Sequence, residues 1–481
     1  MEFDSVLLYT ALGVGILTLC NMLKNANGLF YSIKFSSRKY RLPPGDMGWP
    51  FIGNMILFFK SFKSTGNPGS FVSYFVTRFG PSVGMYKAYM FGSPSIIVTT
   101  PEICKKIFMD DDNFDRGKSN SSSASTTSNQ EEKRLRRITT THIRTHGSLS
   151  FYFDCINEIV KNSLEKFAAK EEPIYLFSEM KRPAFEVLML ILIGGYQVSQ
   201  QLLGVVFEET ALLIRGFHGM PINIPGFAYN RAMKAQGVIA QMFKQILDER
   251  KVMIAENKVR PMSNMLDMML DAQDIDGGKG LSDETIVGLL LQYTFAGYES
   301  VAKVASKTIM HLEKHPDVLQ KAKEEQEEVV KRRSSSNAGL HFDEIRQMKY
   351  LSKVLDETLR VNSLIPIFRV AKETVNLNDY TIPKGWKFLT FLWSFNMDPN
   401  TYVNPLEFNP SRWDDMETKP ASYFPFGVGP KMCPGSNVAR LSLSIILHYF
   451  LLNYRFEQPD PDQSKTKPLD NCIGRFKKVS T

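Results

Sequence analysis

A cysteine in a glycine-rich segment is the residue of this 481-residue chain whose neighbours most clearly indicate chemistry. Cys433 follows the sequence FPFGVGPKM, which has glycines at 427 and 429, and it precedes Pro434. Glycines let the backbone pass close to a sulfur atom. A proline that begins a helix would place the positive helix end beside a thiolate. The segment predicts a thiolate suited to one axial bond with haem iron, followed by a helix over 436–452. The alternative is a buried structural cysteine before a glycine turn.

The cysteine count and the net charge exclude several classes of protein. The five cysteines are scattered without pair spacing, which excludes a disulfide framework and a zinc site and fits a reducing compartment. The net charge of +8 is compatible with nucleic acid, an anionic membrane or an acidic protein partner. Because no basic stripe is interleaved with aromatic residues, we predict no nucleic-acid partner.

The N-terminal residues have the pattern of a membrane anchor. Residues Ser5–Met22 are mostly apolar and reach the lower length limit for a membrane span. Acidic residues precede this stretch and basic residues follow it, so the basic flank should stay cytosolic. We predict an uncleaved single-pass anchor over residues 1–23, with a cleaved signal peptide as the alternative. The prolines of LPPG, at residues 42–45, predict a rigid spacer after the anchor.

The rest of the chain is predicted to be mainly helical with minor sheets. We predict a basic flank and hinge over 24–45 and one catalytic domain over 46–481. The predicted elements, besides the helix after Cys433, are a long helix over 283–315 capped by Ser282, helices over 130–141, 151–170, 177–195, 232–256, 316–333 and 343–361, strands over 95–99, 365–375 and 386–393, and a serine-rich loop over 119–128.

A second candidate site is the sequence AGYES, at residues 296–300 of the long helix. A glycine inside a helix costs about 1 kcal/mol relative to alanine. The Ser300 hydroxyl can bond back to the Ala296 carbonyl and bend the helix, which opens a groove for a small molecule and water. Ser300 could then donate to dioxygen and Glu299 could lead protons in, while Lys303 competes for that carboxylate. The alternative is a glycine packed against another helix, with Glu299 and Ser300 exposed.

Three charged residues form a candidate network. Glu357 and Arg360, in ETLR, lie three residues apart on one helix, and Arg412, in FNPSRW, follows on a turn. A carboxylate shared by two guanidinium groups would be a buried network that fixes a loop-rich region. The alternative is three solvated surface charges.

The order of AGYES, ETLR, FNPSRW and FPFGVGPKMCPG resembles that of a microsomal cytochrome P-450, and the gaps between the motifs also match. With the apolar N-terminus and LPPG, the resemblance covers essentially the whole chain. The segments LPPGDMGWPFIGN and FNPSRWDD, and the tail after Cys433, are similar to those of plant ent-kaurenoic acid oxidases and their triterpenoid-oxidising relatives. The resemblance implies the cytochrome P-450 fold, mainly α with minor β, behind a single-pass N-terminal membrane anchor.

The resemblance also implies a role for each motif residue. Cys433 would be the axial ligand of haem b, iron protoporphyrin IX, and its thiolate would favour O–O cleavage and oxidation of an unactivated C–H bond. Glu299 and Ser300 would be catalytic. The implied haem-propionate ligands are Lys431, Arg369 and Arg136, and the implied structural triad is Glu357, Arg360 and Arg412.

Three features depart from the family pattern. Lys431 stands where the family usually has arginine. Its contact with a haem propionate would come from one ammonium group rather than from the two N–H groups of a guanidinium. Glu132 occupies the Trp/His position of the motif that contains Arg136, and an acid there should repel a propionate. The serine-rich segment 119–128 replaces a longer, more apolar loop, so the substrate is less predictable than the chemistry.

The resemblance implies a monooxygenase of the endoplasmic reticulum membrane, with its catalytic domain cytosolic. It would oxidise an apolar terpenoid, such as a cucurbitane- or oleanane-type alcohol, with electrons from NADPH through the FMN and FAD of NADPH–cytochrome reductase. The basic residues predicted to face that acidic partner are Arg134, Arg136, Arg137, Lys431 and Arg440. The alternatives are ent-kaurenoic acid oxidation in gibberellin synthesis, hydroperoxide rearrangement without dioxygen, and a catalytically silent haem- or sterol-binding paralogue.

Overall fold

Helices make up most of the part of the chain that the structure describes. The structure is a computed structural model that describes residues 2–36, 41–65, 69–115, 129–144, 146–194, 198–217, 223–256, 264–272, 280–333, 339–363, 366–414, 422–458 and 472–479. The helices are α1 (Glu2–Ser36), α2 (Met55–Thr65), α3 (Gly69–Phe79), α4 (Pro101–Met109), α5 (Asn129–Arg144), α6 (His146–Ala168), α7 (Leu176–Ile193), α8 (Gln200–Phe217), α9 (Ala228–Ala255), α10 (Met265–Leu270), α11 (Asp283–Lys314), α12 (Pro316–Lys331), α13 (Lys349–Val361), α14 (Leu392–Asn396) and α15 (Ser436–Asn453). The strands are β1 (Gly45–Asp46), β2 (Met85–Met90), β3 (Ser93–Val98), β4 (Phe114–Asp115), β5 (Ile174–Tyr175), β6 (Pro366–Ala371), β7 (Val375–Leu377), β8 (Tyr380–Ile382), β9 (Lys387–Phe391), β10 (Tyr454–Glu457) and β11 (Ile473–Lys478). Short 3-10 helices cover Pro81–Val83, Phe342–Gln347 and Pro410–Trp413.

The chain divides into two compact units. The first comprises Met1–Ser122, Leu359–Phe408 and Asp415–Met432. The second comprises Ser123–Thr358, Asn409–Asp414 and Cys433–Thr481, so α13 contributes residues to both. The predicted boundaries at residues 23 and 45 stay predictions.

A six-stranded sheet forms the first unit, in the order β1-β2-β3-β9-β6-β4. Strands β2 and β3 form an antiparallel hairpin, and β3 pairs in parallel with β9. Strand β6 pairs antiparallel with β9, with Arg369 opposite Phe388. The two strands predicted over 365–375 and 386–393 are therefore neighbours in the sheet, as β6 and β9.

Large apolar side chains bury one face of that sheet. Ile107 and Phe108 of α4 pack with Phe114 of β4, Phe388 of β9 and the loop residue Phe424. Removing this much apolar area from water is the main force that holds α4 and the loop at 424 against the strands. The core of the first unit thus holds the segment before Cys433 in place.

Packed helices and a small sheet build the second unit. Helix α7 packs along α11, and α8 packs along α9. The sheet has the order β10-β11-β5, with antiparallel pairing throughout. This confirms a mainly helical fold with minor sheets.

Local chemistry sets both ends of α11. The Ser282 side chain accepts a hydrogen bond from the Thr285 amide at 3.3 Å, and Asp283 and Glu284 follow in the first turn. The helix ends before Pro316, which cannot continue the hydrogen-bond pattern. The prediction of a capped helix over 283–315 is confirmed.

The N-terminal helix is longer than predicted. Helix α1 runs to Ser36, through most of the residues assigned to a basic flank. Within the described residues, no helix carries an apolar stretch long enough to cross a membrane, and the anchor over 1–23 stays a prediction. At the end of the predicted rigid spacer, the Pro44 carbonyl accepts from the Lys87 amide at 3.0 Å and Gly45 begins β1, and the spacer role stays a prediction.

Other elements differ from prediction in their limits. The helix predicted over 343–361 is a 3-10 helix at Phe342–Gln347 followed by α13. Helix α8 was not predicted, and the strand predicted over 95–99 is β3, at Ser93–Val98. The serine-rich loop predicted over 119–128 lies outside the described residues.

Candidate active site

The loop before Cys433 has a backbone that only glycine adopts easily. Gly427 and Gly429 have φ angles of 78° and 80°, in the left-handed region. A Cβ atom on Gly429 would lie 2.4 Å from the Phe108 carbonyl oxygen. The Gly427 amide donates to the Phe424 carbonyl at 2.8 Å, which closes a turn. The positive φ angles were predicted, whereas the close approach of Gly429 to the end of α4 was not.

We expect Gly429→Ala to destabilise the folded protein by at least about 2 kcal/mol, because the methyl group meets main-chain atoms and the φ angle disfavours it. Urea unfolding followed by circular dichroism measures this change. Gly435→Ala is the matched control, because nothing lies within 4 Å of its Cβ position and its φ is −89°. Equal stability of the two variants would contradict the close approach at residue 429.

The thiol of Cys433 is exposed, three residues before α15 begins. The prediction that Pro434 starts the helix is wrong, because Gly435 is the N-cap and Ser436 is the first helical residue. The helix extends to Asn453, which confirms the predicted range. Cys433 thus precedes the N-terminus of an 18-residue helix, whose positive end favours a negative charge nearby.

Three other described cysteines are unsuited to metal ligation. Burial raises the pKa of Cys104 to about 12. Burial also raises the pKa values of Cys155 and Cys472. With raised pKa values, these three side chains stay protonated thiols at neutral pH, whereas the form that binds a metal is the thiolate. Cys433 is the exposed one of the four described thiols.

Lys431 has a buried side chain that pairs with two aspartates. Its side chain is 5% exposed, and its Nζ lies 3.0 Å from Asp115 Oδ1 and 3.9 Å from Asp111 Oδ1. The resemblance implied a haem-propionate contact for this ammonium, and that contact stays a prediction. The prediction that Lys431 offers a docking charge to a reductase is wrong, because the side chain is buried.

Arg369 and Arg136 occupy different surroundings. Arg369, on β6, is 5% exposed, donates from Nη1 to the Phe368 carbonyl at 2.9 Å and lies over the Phe108 ring at 4.5 Å. Arg136 is half-buried on α5, with Glu132 one turn before it. Arg369 is thus a buried cation next to Phe108, the α4 residue that Gly429 also approaches. Both propionate assignments stay predictions.

The AGYES segment packs closely on α7. A Cβ on Gly297 would lie 2.8 Å from the Leu188 side chain, so this glycine permits close helix packing, as the alternative interpretation held. Ser300 is exposed, and its hydroxyl donates to the Gly297 carbonyl at 3.3 Å. The predicted bond to the Ala296 carbonyl is wrong, since the hydroxyl reaches three residues back rather than four.

Glu299 pairs with a residue that the sequence did not indicate. Lys181 Nζ, on α7, lies 2.5 Å from Glu299 Oε1, and both side chains are about a quarter exposed. Lys181 also lies over the Phe177 ring at 4.5 Å. The expected pair with Lys303 is replaced by a contact between α7 and α11. No periodicity within one helix could reveal a partner on another.

Glu357 is the centre of a buried polar cluster in the second unit. Its Oε1 accepts from Arg412 Nε at 2.9 Å and from the Asn409 amide at 2.9 Å. Its Oε2 accepts from Trp413 Nε1 at 3.0 Å. Glu357 is fully buried, which rules out solvated surface charges. The FNPSRW sequence contains all three partners, but only Arg412 was predicted.

Arg360 is fully buried in the first unit. Its Nη1 donates to the carbonyls of Asn396 and Pro405, both at 2.7 Å, and its Nη2 donates to the main-chain carbonyl of Glu407 at 3.0 Å. Its guanidinium also lies over the Tyr402 ring. Arg360 therefore ties together the main chain of an irregular segment. The predicted triad stays a prediction as a unit, although the Glu357–Arg412 pair is present.

The donor set of the chain fits an iron porphyrin. That group needs one axial ligand, cations for two carboxylates and a loop that can approach closely. Cys433 supplies an exposed thiol, Arg369 supplies a buried guanidinium, and Gly429 leaves no room for a side chain. No cluster of acidic, histidine or cysteine side chains that could hold a metal ion is present in the described residues.

Comparison with known proteins identifies close relatives of the chain. The sequence profile of the cytochrome P-450 family matches residues 43–476. The chain is 40% identical over 494 residues to the (21S)-21-acetyl-1-hydroxy-apo-melianone synthase of Melia azedarach, with 100% of each chain covered. It is 41% identical to beta-amyrin 11-oxidase of Glycyrrhiza uralensis, with 95% of each covered, and 40% identical to ent-kaurenoic acid oxidase 2 of Arabidopsis thaliana, with 96% of each covered. The solved structure of retinoic acid bound cyanobacterial CYP120A1 superposes with a TM-score of 0.77 at 22% identity, covering 92% of this chain and all of that one.

Proposed function

The chain belongs to the cytochrome P-450 family, and we propose that it oxidises a carbon of a terpenoid skeleton. Membership makes it an oxidoreductase of the monooxygenase type that uses haem b and receives NADPH electrons through a flavoprotein reductase. The observation that carries the proposal is that relatives about 40% identical over nearly the whole chain are named as oxidases or synthases of terpenoids.

We assign Cys433 as the residue whose thiolate would hold the haem iron. When bound, the haem supplies dioxygen activation and the oxidising equivalent. The positive end of α15 would favour a thiolate at residue 433, and the left-handed φ angles of Gly427 and Gly429 let the loop before it turn. Arg369 and Arg136 are the cations that we assign to the propionates. The Glu357–Arg412 pair fixes the turn before the loop.

We assign proton delivery to α11. The exposed hydroxyl of Ser300 donates to the Gly297 carbonyl and could exchange that bond for one to water. Glu299 Oε1 is held by Lys181, so the carboxylate has a fixed position from which to exchange protons with solvent. Close packing of Gly297 on Leu188 fixes α11 against α7.

We expect Lys181→Met to lower product formation about three- to tenfold, because the released Glu299 carboxylate no longer has one orientation. More NADPH should then be consumed with release of hydrogen peroxide. Lys181→Arg keeps a cation at this position. It should bring the amount of product formed per NADPH consumed back close to the parent value. The solvent deuterium isotope effect on turnover separates a proton-transfer defect from a fold defect. An unchanged ratio and isotope effect in Lys181→Met would remove Lys181 from this role.

The substrate class that we propose is a triterpenoid alcohol, such as an oleanane- or cucurbitane-type skeleton. Relatives named for melianone-type products and for beta-amyrin support this class. Oxidation of ent-kaurenoic acid is the second candidate, because two relatives at 39–40% identity carry that name. Feeding beta-amyrin and ent-kaurenoic acid to the protein in membranes with a plant reductase tests both. We expect an oxygenated triterpenoid, and product from ent-kaurenoic acid alone would favour the second candidate.

We also propose that the protein acts at the endoplasmic reticulum membrane. Helix α1 exposes large apolar side chains, which is costly in water and favourable at a bilayer surface. These exposed residues are Leu12, Val14, Ile16, Leu19, Met22, Leu23, Leu29, Phe30 and Ile33. Deleting residues 1–23 should move the protein from microsomes to the soluble fraction. Retention of the shortened protein in microsomes would contradict attachment through this segment.

The proposed electron donor is an NADPH–cytochrome reductase with an acidic docking face. Arg137 on α5 is exposed, whereas Arg134 pairs with Glu131 at 3.2 Å. Arg440 pairs with the buried Asp356 at 2.6 Å, so the charge of Arg440 is partly neutralised by an intramolecular ion pair. Arg137→Glu should slow the first electron transfer at low salt. A rate that does not depend on this charge would place the docking surface elsewhere.

A further inference from the structure

We propose that Lys431 is a positioning residue that fastens the loop before Cys433 to the segment Asp111–Asp115, rather than a ligand of a haem propionate. The inference deepens the proposed function and rests on it for the haem, but not for the ion pair. It changes the role that the family resemblance implied for this position. Three sets of contacts in the first unit support it.

The charge of Lys431 is already balanced by the protein. The buried ammonium lies 3.0 Å from Asp115 Oδ1 and 3.9 Å from Asp111 Oδ1. Asp111 is itself buried, whereas Asp115 is partly exposed. A buried cation is stable only with such partners, and separating it from them is costly. A propionate would have to compete with two carboxylates for one ammonium.

The acidic segment is a fixed support. The Asp111 carbonyl accepts from Lys372 Nζ at 2.5 Å, and the Asn113 carbonyl accepts from the Lys372 amide at 2.9 Å. Asp110 Oδ1 accepts from the amides of Asp112 and Asn113. Strand β4 then pairs with β6, with Asp115 opposite Val370. The carboxylates that hold Lys431 are therefore anchored to the sheet.

The loop touches the same region at two further points. Gly429 approaches the Phe108 carbonyl so closely that no side chain fits. Val428 and Phe424 pack in the apolar cluster that contains Phe108 and Phe114. Lys431 thus adds a charged contact to an apolar one, two residues before Cys433. A shift of this loop would move the sulfur directly.

The chemistry of lysine agrees with this role. Arginine presents a planar fork that can bind two partners at once, whereas an ammonium is a compact point charge. Arg369, also buried in the first unit, remains the cation that we assign to a propionate. Lys431 then contributes to haem binding only through the position of the loop.

The test compares Lys431→Met with Asp115→Asn in the holoprotein. The readouts are the rate of haem transfer to apomyoglobin and the fraction of the ferrous carbon monoxide complex that keeps the thiolate Soret band. If Lys431 positions the loop, both variants should speed haem transfer about five- to tenfold and lower the thiolate fraction, and the double variant should be no worse than either one. Lys431→Arg should restore the parent values. Lys384→Met, in an exposed pair with Glu373, is the control.

If Lys431 binds a propionate, Asp115→Asn frees the ammonium, so haem transfer should slow or stay unchanged while Lys431→Met speeds it. That result overturns the inference. If the unsubstituted protein shows no thiolate band, the proposed function fails by itself. The ion pair is then tested in the apoprotein, where Lys431→Met and Asp115→Asn should lower stability non-additively in urea, and additive effects would contradict the inference.

Discussion

Cys433→Ala should abolish the thiolate Soret band of the ferrous carbon monoxide complex and reduce turnover to background. An alanine side chain has no atom that can bind iron. Burial keeps the pKa values of the other described thiols, Cys104, Cys155 and Cys472, above that of an ordinary thiol. None of these three can take over as a thiolate at neutral pH. The effect is therefore expected to be complete rather than graded.

Cys155→Ala is the matched control for this substitution, because it removes a half-buried thiol from α6 and should keep the spectrum and turnover. Circular dichroism of Cys433→Ala should show the helical content of the parent, since an exposed side chain contributes little to the core. A normal thiolate band in Cys433→Ala would show that another residue ligates the iron.

Glu357→Ala should cost about 3–5 kcal/mol of folding free energy, because it leaves the Arg412 guanidinium and the Trp413 and Asn409 N–H groups without their buried acceptor. Urea unfolding of the purified protein measures this loss. The haem content of the same preparations should fall, since the cluster holds the turn at residues 409–413.

Glu373→Ala is the matched control, because it removes a carboxylate from an exposed pair with Lys384 and should leave the stability nearly unchanged. Glu357→Gln keeps one acceptor oxygen and should fall between the two. If Glu357→Ala unfolds at the same urea concentration as Glu373→Ala, the buried cluster does not hold the fold.

The elements that the sequence specified best are those with local signals. Ser282 caps α11 and Pro316 ends it, and both act within one turn of chain. Positive φ angles were predicted for the glycines before Cys433, and Gly427 and Gly429 have such angles. Helix capping, helix termination and glycine backbone conformation depend on residues that are close in sequence. They can therefore be predicted from a single sequence.

Contacts between distant segments were not predictable in the same way. Lys181 replaces Lys303 as the partner of Glu299 because α7 packs on α11, and only the tertiary fold brings these helices together. Asp115 was not considered as a partner of Lys431, which follows it by 316 residues. The Pro44 carbonyl of LPPG accepts from the Lys87 amide of β2, a contact that the segment alone did not indicate. Each of these contacts joins partners that only three-dimensional packing brings together.

The incorporation of labelled dioxygen tests the central claim most directly. The purified protein, with reductase, NADPH and beta-amyrin, should form a product whose first hydroxyl group carries one labelled oxygen atom, with the other atom released as water. No product should form without NADPH. Turnover of a hydroperoxide without dioxygen, or substrate binding with neither NADPH consumption nor labelled product, would contradict the assignment of this chain as a terpenoid monooxygenase.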